Sequence, residues 1–363
     1  MIKRTILGES AMDATAKVVE ALMRHGPRYS KISRETGGPI PTVRYILTKR
    51  LPKLGFSSWA AINCGTIGLQ RYLVTLSSRL TPKYLSGLLR TFGEFMYLTY
   101  YTYLMKDRKF LTIFTLPPKY VNDLMELLEN LKSMGIINDY RMEKLLYRRI
   151  LPFRVDCFDF KRGVWKQDWF NREYRLPEIY EELEPTMNFD KIDILILKEL
   201  QKNIFVKYVE LSKKLGVSRQ TVKRHYQHAL KAVYMYAVTW LPPWNPDLIS
   251  TPILVGSTNV ERARQLIISI PFTYAEMRTV EGEYYGLIVV PSIALYRVLK
   301  FLSEGLIINK LEFIDMENTL SFFIHSNLFM DKTGWLNPYR ITIEKIVEKV
   351  GMLSRGFSEE AFR

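Results

Sequence analysis

Hydrophobic positions along the chain follow two periods. Near the start, Val18, Ala21 and Leu22, then Ile32, then Val43, Ile46 and Leu47 are spaced mostly three and four apart, with Gly37-Gly38 between the last two groups. This spacing predicts three short amphipathic helices with a glycine turn before the third. Ile194, Leu197 and Leu200, then Val209 and Leu211, then Gly216, then Val222 and Tyr226 repeat the arrangement in the second half. Downstream of each set, runs rich in β-branched and aromatic residues predict strands. They are Leu69–Leu76, Phe95–Leu104, Lys109–Leu116 and Asp139–Tyr147, then Ile253–Ser257, Thr273–Val280, Glu283–Val290 and Lys310–Met316. Helical stripes separate them at Val121, Leu124, Leu127, Leu128 and Leu131, and at Leu295, Val298, Leu299 and Leu302.

The two halves align without a gap at an offset of 179 positions, so that Tyr29 meets Tyr208, Ser33 meets Ser212, Gly37 meets Gly216 and Thr42-Val43 meets Thr221-Val222. This correspondence predicts an internal duplication. The expected fold class is α+β: two tandem repeats of a helix-turn-helix (winged-helix-like) module followed by a ferredoxin-like βαββαβ (RAM-like) domain. The expected boundaries are 1–55 and 56–150 for the first pair, a connector at 151–188, 189–235 and 236–320 for the second pair, and a tail at 321–363 with one helix. Fusion predicts a pseudo-dimer whose two βαββαβ units cover each other's sheets.

Charge sharpens the picture. The 363 residues carry 52 Lys plus Arg against 37 Asp plus Glu, a formal net charge of +15. Residues 12–52 hold eight basic residues against three acidic, and residues 189–232 hold ten against four, so most of the excess sits on the two helical modules. Concentration of charge there points to double-stranded DNA. Two cysteines and four histidines leave little for disulfides or metals, so no metal, cofactor or catalytic residue is expected. No signal-type or membrane-spanning apolar run is present, and a cytoplasmic, nucleoid-associated protein without a membrane partner is expected.

Val209 to His225 carries the most specific chemistry. Gly216 supplies a left-handed turn, Ser218 an N-cap, and Val222 an inward anchor. Arg219, Gln220, Thr221, Lys223 and Arg224 are left on the recognition helix, types that read guanine, adenine and phosphate. In the first module Pro39 and Pro41 interrupt the equivalent stretch. Thr42, Arg44, Tyr45, Lys49 and Arg50 are expected to grip phosphate with less base readout. His225 and His228 read as phosphate contacts or exposed groups.

Phe189 to Asn203, with Glu210-Leu-Ser-Lys-Lys-Leu-Gly-Val-Ser218, resembles the opening of leucine-responsive (Lrp/AsnC-type) transcription regulators. Val280 to Val290 is similar to that family's Gly-x-Tyr-Asp turn, and Leu54-Gly55-Phe56 to the entry of its first strand. The resemblance implies a DNA-binding transcription regulator that self-associates through its βαββαβ domains, often with an amino-acid effector. Tyr285 stands where the family has Asp, which counts against an amino-acid effector. A sequence-tolerant architectural DNA-binding protein is the alternative. A doubled branch of the family is similar to siroheme decarboxylases. No Walker loop, GxSxG or HExxH pattern occurs, and the expectation is that the chain is not an enzyme.

Overall fold

The computed structural model describes residues 13–171, 174–183, 188–241, 250–305 and 308–339. The expected tail helix beyond Tyr339 lies outside them. The chain opens with α1 (Ala14–His25), α2 (Tyr29–Thr36) and α3 (Ile40–Tyr45), continued by a π-helical turn at Ile46–Arg50 and by α4 (Leu51–Lys53). Then come β1 (Phe56–Ile62), β2 (Gln70–Ser77), α5 (Pro82–Phe95), β3 (Leu98–Leu104), β4 (Lys109–Leu116), α6 (Val121–Ser133) and β5 (Asp139–Ile150). A connector holds the short hairpin β6 (Phe158–Asp159) and β7 (Val164–Trp165). The second half comprises α7 (Lys191–Lys202), α8 (Tyr208–Leu215), α9 (Arg219–Ala229), β8 (Val233–Trp240), β9 (Ser250–Ser257), α10 (Val260–Ser269), β10 (Thr273–Thr279), β11 (Tyr284–Pro291), α11 (Leu295–Gly305) and β12 (Lys310–Ser321).

The expected fold class is corrected at the sheets. All eight predicted strands form, but they do not make two ferredoxin-like units stacked face to face. They close into one antiparallel barrel in the order β10-β11-β9-β12-β3-β4-β2-β5. The physical reason is the length of β5 and β12. Residues Asp139–Lys144 of β5 pair with β2, and Leu145–Ile150 run on to pair with β10. Residues Lys310–Phe313 of β12 pair with β9, and Ile314–Ser321 run on to β3. Each long strand thereby satisfies the exposed backbone edge of the other half.

Side chains reinforce both seams. Arg149 of β5 stands opposite Glu276 of β10 and donates Nε–H to its carboxylate. Glu276 is fully buried and also accepts from Arg264 Nε at 3.1 Å and Tyr284 Oη at 2.7 Å. At the other seam, Glu312 accepts the backbone N–H of Lys106 and Asp107, both at 3.2 Å. Burial pushes the Glu312 carboxyl above its ordinary range. The turn it holds places Arg108 at φ 54°, in the left-handed region that favours glycine.

Alternation along the strands divides the apolar residues between two sides. Leu73, Leu111, Leu145, Leu254, Met277 and Ile314 join one cluster drawn from both halves. On the other side, Val74, Phe110 and Phe114 pack with Leu89 of α5 and Leu124, Leu127 and Leu128 of α6. Ile253, Ile288 and Val290 pack likewise with Ala263 and Ile267 of α10 and Val298 and Leu302 of α11.

One pairing has no counterpart in the sequence reading. β1 and β8 form a separate antiparallel ribbon with Phe56 opposite Trp240. α7 of the second half packs on β1, and α1 of the first packs on β8. Gly26 marks the closest approach: at φ 64°, a Cβ there would lie 2.4 Å from the Tyr236 ring. The connector is built into this layer, with Phe158 5.4 Å from Phe56 and 4.9 Å from Trp240, centroid to centroid. Among the described residues no helix is long and apolar enough to cross a membrane.

Glu276→Ala removes the shared acceptor of two arginines at a buried seam. The expected cost is about 3–5 kcal/mol, because Arg149 is left charged and buried. Denaturant unfolding checks it, and a loss below about 1 kcal/mol would remove the ion pair from the account of closure.

Candidate nucleic-acid interface and an arginine-lined cavity

The second helical module is built as its residues require. α7 starts on a capping box between Asp190 and Asp193. α8 ends at Gly216, φ 67°, and Ser212 Oγ donates to Val217 O at 2.6 Å across the turn. Ser218 then caps α9, accepting from Thr221 N at 3.1 Å. Val222, Tyr226 and Ala229 are buried, which turns the opposite side outward. Ser218, Arg219, Gln220, Lys223 and Arg224 are exposed and Thr221 is half-buried. The described ion pairs include none to Arg219, Lys223 or Arg224.

In the first half, Gly37 is likewise left-handed, φ 71°, and Ser33 Oγ donates to Gly38 O at 2.7 Å. Pro39 stands at the N-cap of α3 without a side-chain hydrogen bond. Thr42, Arg44, Tyr45 and Lys49 are exposed and Arg50 is half-buried. Arg44 lies over the Tyr29 ring at 5.3 Å. A groove of about 770 Å³ runs between the two modules, and its lining includes Arg28, Arg44, Lys49, Lys207 and Gln227.

The histidines depart from expectation. His225 and His228 lie within α9 and turn inward: Asp193 Oδ1 is 3.0 Å from His225 Nδ1, and Asp193 Oδ2 is 2.7 Å from His228 Nδ1. The signal was available, because position 225 falls three after Val222 and one before Tyr226, beside the buried stripe.

A second feature was not foreseen. A cavity of about 280 Å³ opens where the β1–β8 ribbon, α7 and the barrel meet. Trp59, Leu69, Ile150 and Phe322 give it apolar walls; Arg71, Arg148, Tyr234, Tyr274, Cys64 and His325 give it polar ones. Arg71 is neutralised by Glu181 at 2.6 Å. Arg148 lies over the Tyr100 ring at 5.3 Å, and the described ion pairs give it no carboxylate. Burial pushes the Cys64 thiol up to about 12 and raises the Tyr274 hydroxyl as well, so both are neutral at pH 7. Burial likewise pulls the His325 imidazole down to about 4, and its Nε2–H donates to Gly93 O at 2.8 Å. Among the described residues, the cavity therefore carries one positive charge with no carboxylate partner, on Arg148. Tyr285, in the family's Asp position, is buried and donates its hydroxyl to Glu283.

Residues 189–232 match the winged helix-turn-helix DNA-binding family, which supports a module of transcription-regulator type. The match stops short of the first three helices. No curated protein sequence matches the chain. Among solved structures, the chain is similar to the siroheme decarboxylase NirDL. The TM-score is 0.53 at 9% identity, over 93% of this chain and 100% of that one. The co-complex of NirDL with an iron-uroporphyrin III analogue gives the same values. This likeness is one of fold. It overturns the expectation that the chain is not an enzyme, which rested on absent motifs: nearly the whole chain shares the architecture of one.

Because the folded His325 is held below its ordinary pKa, the unfolded chain binds more protons between pH 6.5 and 4. Stability is full above that window and falls as pH drops through it, by an amount on the order of 3 kcal/mol. In denaturant titrations across pH, His325→Gln should flatten this fall; an unchanged slope would contradict the assignment.

Proposed function

We propose that the chain is a sequence-reading regulator of double-stranded DNA of Lrp/AsnC-like type, with α9 as its recognition helix. The observation that carries this reading is the bare outer side of α9, within the stretch that matches the DNA-binding family. Ser218, Arg219, Gln220, Thr221, Lys223 and Arg224 offer bidentate donors and phosphate contacts on one exposed surface. Thr42, Arg44, Tyr45, Lys49 and Arg50 add affinity from the first half, where the prolines of α3 leave fewer groups for base edges. The architectural alternative has the same charge but gives Arg219 and Gln220 no role in reading sequence.

A second reading has its own support, in the cavity and in the fold shared with a siroheme decarboxylase. Arg148, which among the described residues has no carboxylate partner, lies beside Tyr234 and Tyr274 and suits a carboxylate. At about 280 Å³ the cavity lies below the roughly 300–1,000 Å³ of pockets that enclose drug-sized ligands. It takes one carboxylated edge of a tetrapyrrole rather than the whole ring. Iron-uroporphyrin III titrated into the chain should shift its main absorption band, and Arg148→Gln should abolish the shift. No shift in the wild type rejects this reading.

For the first reading, Arg219→Ala or Gln220→Ala should cost about 1–3 kcal/mol on the best site and little on random DNA. Arg44→Ala or Lys49→Ala should weaken both DNAs alike and lower the salt slope by about one unit each. Quantitative binding at several salt concentrations checks both. Equal losses on specific and random DNA for Arg219→Ala would favour the architectural alternative.

A further inference from the structure

Unassigned chemistry converges inside the second helical module. Asp190 and Asp193 accept each other's backbone N–H at the start of α7, at 2.9 and 3.1 Å. From α9, His225 Nδ1 lies 3.0 Å from Asp193 Oδ1 and 3.2 Å from Asp190 Oδ2. His228 Nδ1 lies 2.7 Å from Asp193 Oδ2, and the Phe189 ring covers the His228 ring at 4.9 Å. Asp193 is only 1% exposed. Among the described ion pairs neither aspartate meets a lysine or arginine; their partners are the two histidines. A buried carboxylate with a second one beside it is costly unless a cation compensates, and the start of α7 supplies only a partial charge.

The spacing fits a metal. Four ligands at about 2.0–2.1 Å around a tetrahedral centre stand about 3.3 Å apart. The Asp and His225 ligand atoms are already near that distance, and all lie within 4.8 Å of one another. One imidazole with two carboxylates, leaving a fourth position for water, suits zinc or a neighbouring late first-row divalent ion better than magnesium or calcium.

We propose that Asp190, Asp193 and His225 form a divalent transition-metal site that clamps α9 to α7, with His228 orienting Asp193 from outside it. Arg224 links this site to the DNA surface. Its Nη2 lies 3.3 Å from His225 Nε2. A guanidinium only donates, so the neutral His225 ring holds its proton on Nδ1, toward the aspartates. Metal coordination at Nδ1 moves that proton to Nε2, with no net release. Nε2 becomes a donor, Arg224 loses its acceptor, and the guanidinium is freed toward solvent and phosphate. This coupling rests on the DNA-binding reading; the metal site does not.

The test uses the full chain, freed of metal by chelation, and titrates it with cobalt(II) and then zinc(II). One equivalent of cobalt should give the intense visible bands of a four-coordinate site, displaced by zinc. His225→Gln should lose them, and His25→Gln should keep them. Circular dichroism on the variants separates loss of ligand from loss of fold, and the more exposed Asp190→Asn should weaken binding while remaining folded. Absence of stoichiometric cobalt and zinc binding overturns the site, as does cobalt absorption unchanged in His225→Gln. With the site loaded, DNA affinity should rise about tenfold over the chelated chain. Metal binding with unchanged DNA affinity overturns the coupling alone.

Discussion

Two seams of backbone hydrogen bonds, β5 to β10 and β12 to β3, are the constraint on which the rest of this molecule depends. A four-stranded sheet ends in two rows of unpaired N–H and C=O groups, and neither half of the chain can satisfy its own. Running β5 and β12 to twelve residues each lets either half finish the other's sheet. The closed barrel has no free edge, so any self-association must use a surface other than its strand edges. The ion pair of Arg149 with Glu276 sits on one seam, which puts a buried charge where it also fixes register.

Closure also determines where the helical modules stand. With the barrel shut, the strands that follow α4 and α9 have no place in it, and they pair with each other as the β1–β8 ribbon. Each module then rests on the strand of the other, α7 on β1 and α1 on β8. The cavity arises at the junction of ribbon, α7 and barrel, and Gln201 of α7 reaches it. A ligand held there would touch the DNA-binding module and the barrel at once.

The strands were legible in the sequence because alternation and β-branched content are local signals. Closure was not, because its pairings join residues such as Arg149 and Glu276, far apart in the chain and alike in composition to ordinary edge pairs. The ribbon was missed because it pairs Phe56–Ile62 with Val233–Trp240, far apart in the chain, although Leu54-Gly55-Phe56 resembles the entry of a strand. In the second helical module, Gly216, Ser218 and Val222 carried local signals for the turn, the cap and the inward side, so the exposure of Arg219, Gln220, Lys223 and Arg224 was legible too. His225 and His228 were misplaced because their partners, Asp190 and Asp193, were read as charge alone. The cavity could not have been found, since Arg71, Arg148 and His325 come from three distant segments and nothing in their local pattern unites them.

The most direct test of α9 as a sequence-reading element is selection of bound duplexes from a random DNA pool by the full chain, followed by sequencing. The account predicts enrichment of one well-defined major-groove half-site, with a degenerate flank gripped through phosphate. A pool that stays random after repeated rounds, although the chain retains DNA at low salt, would contradict it.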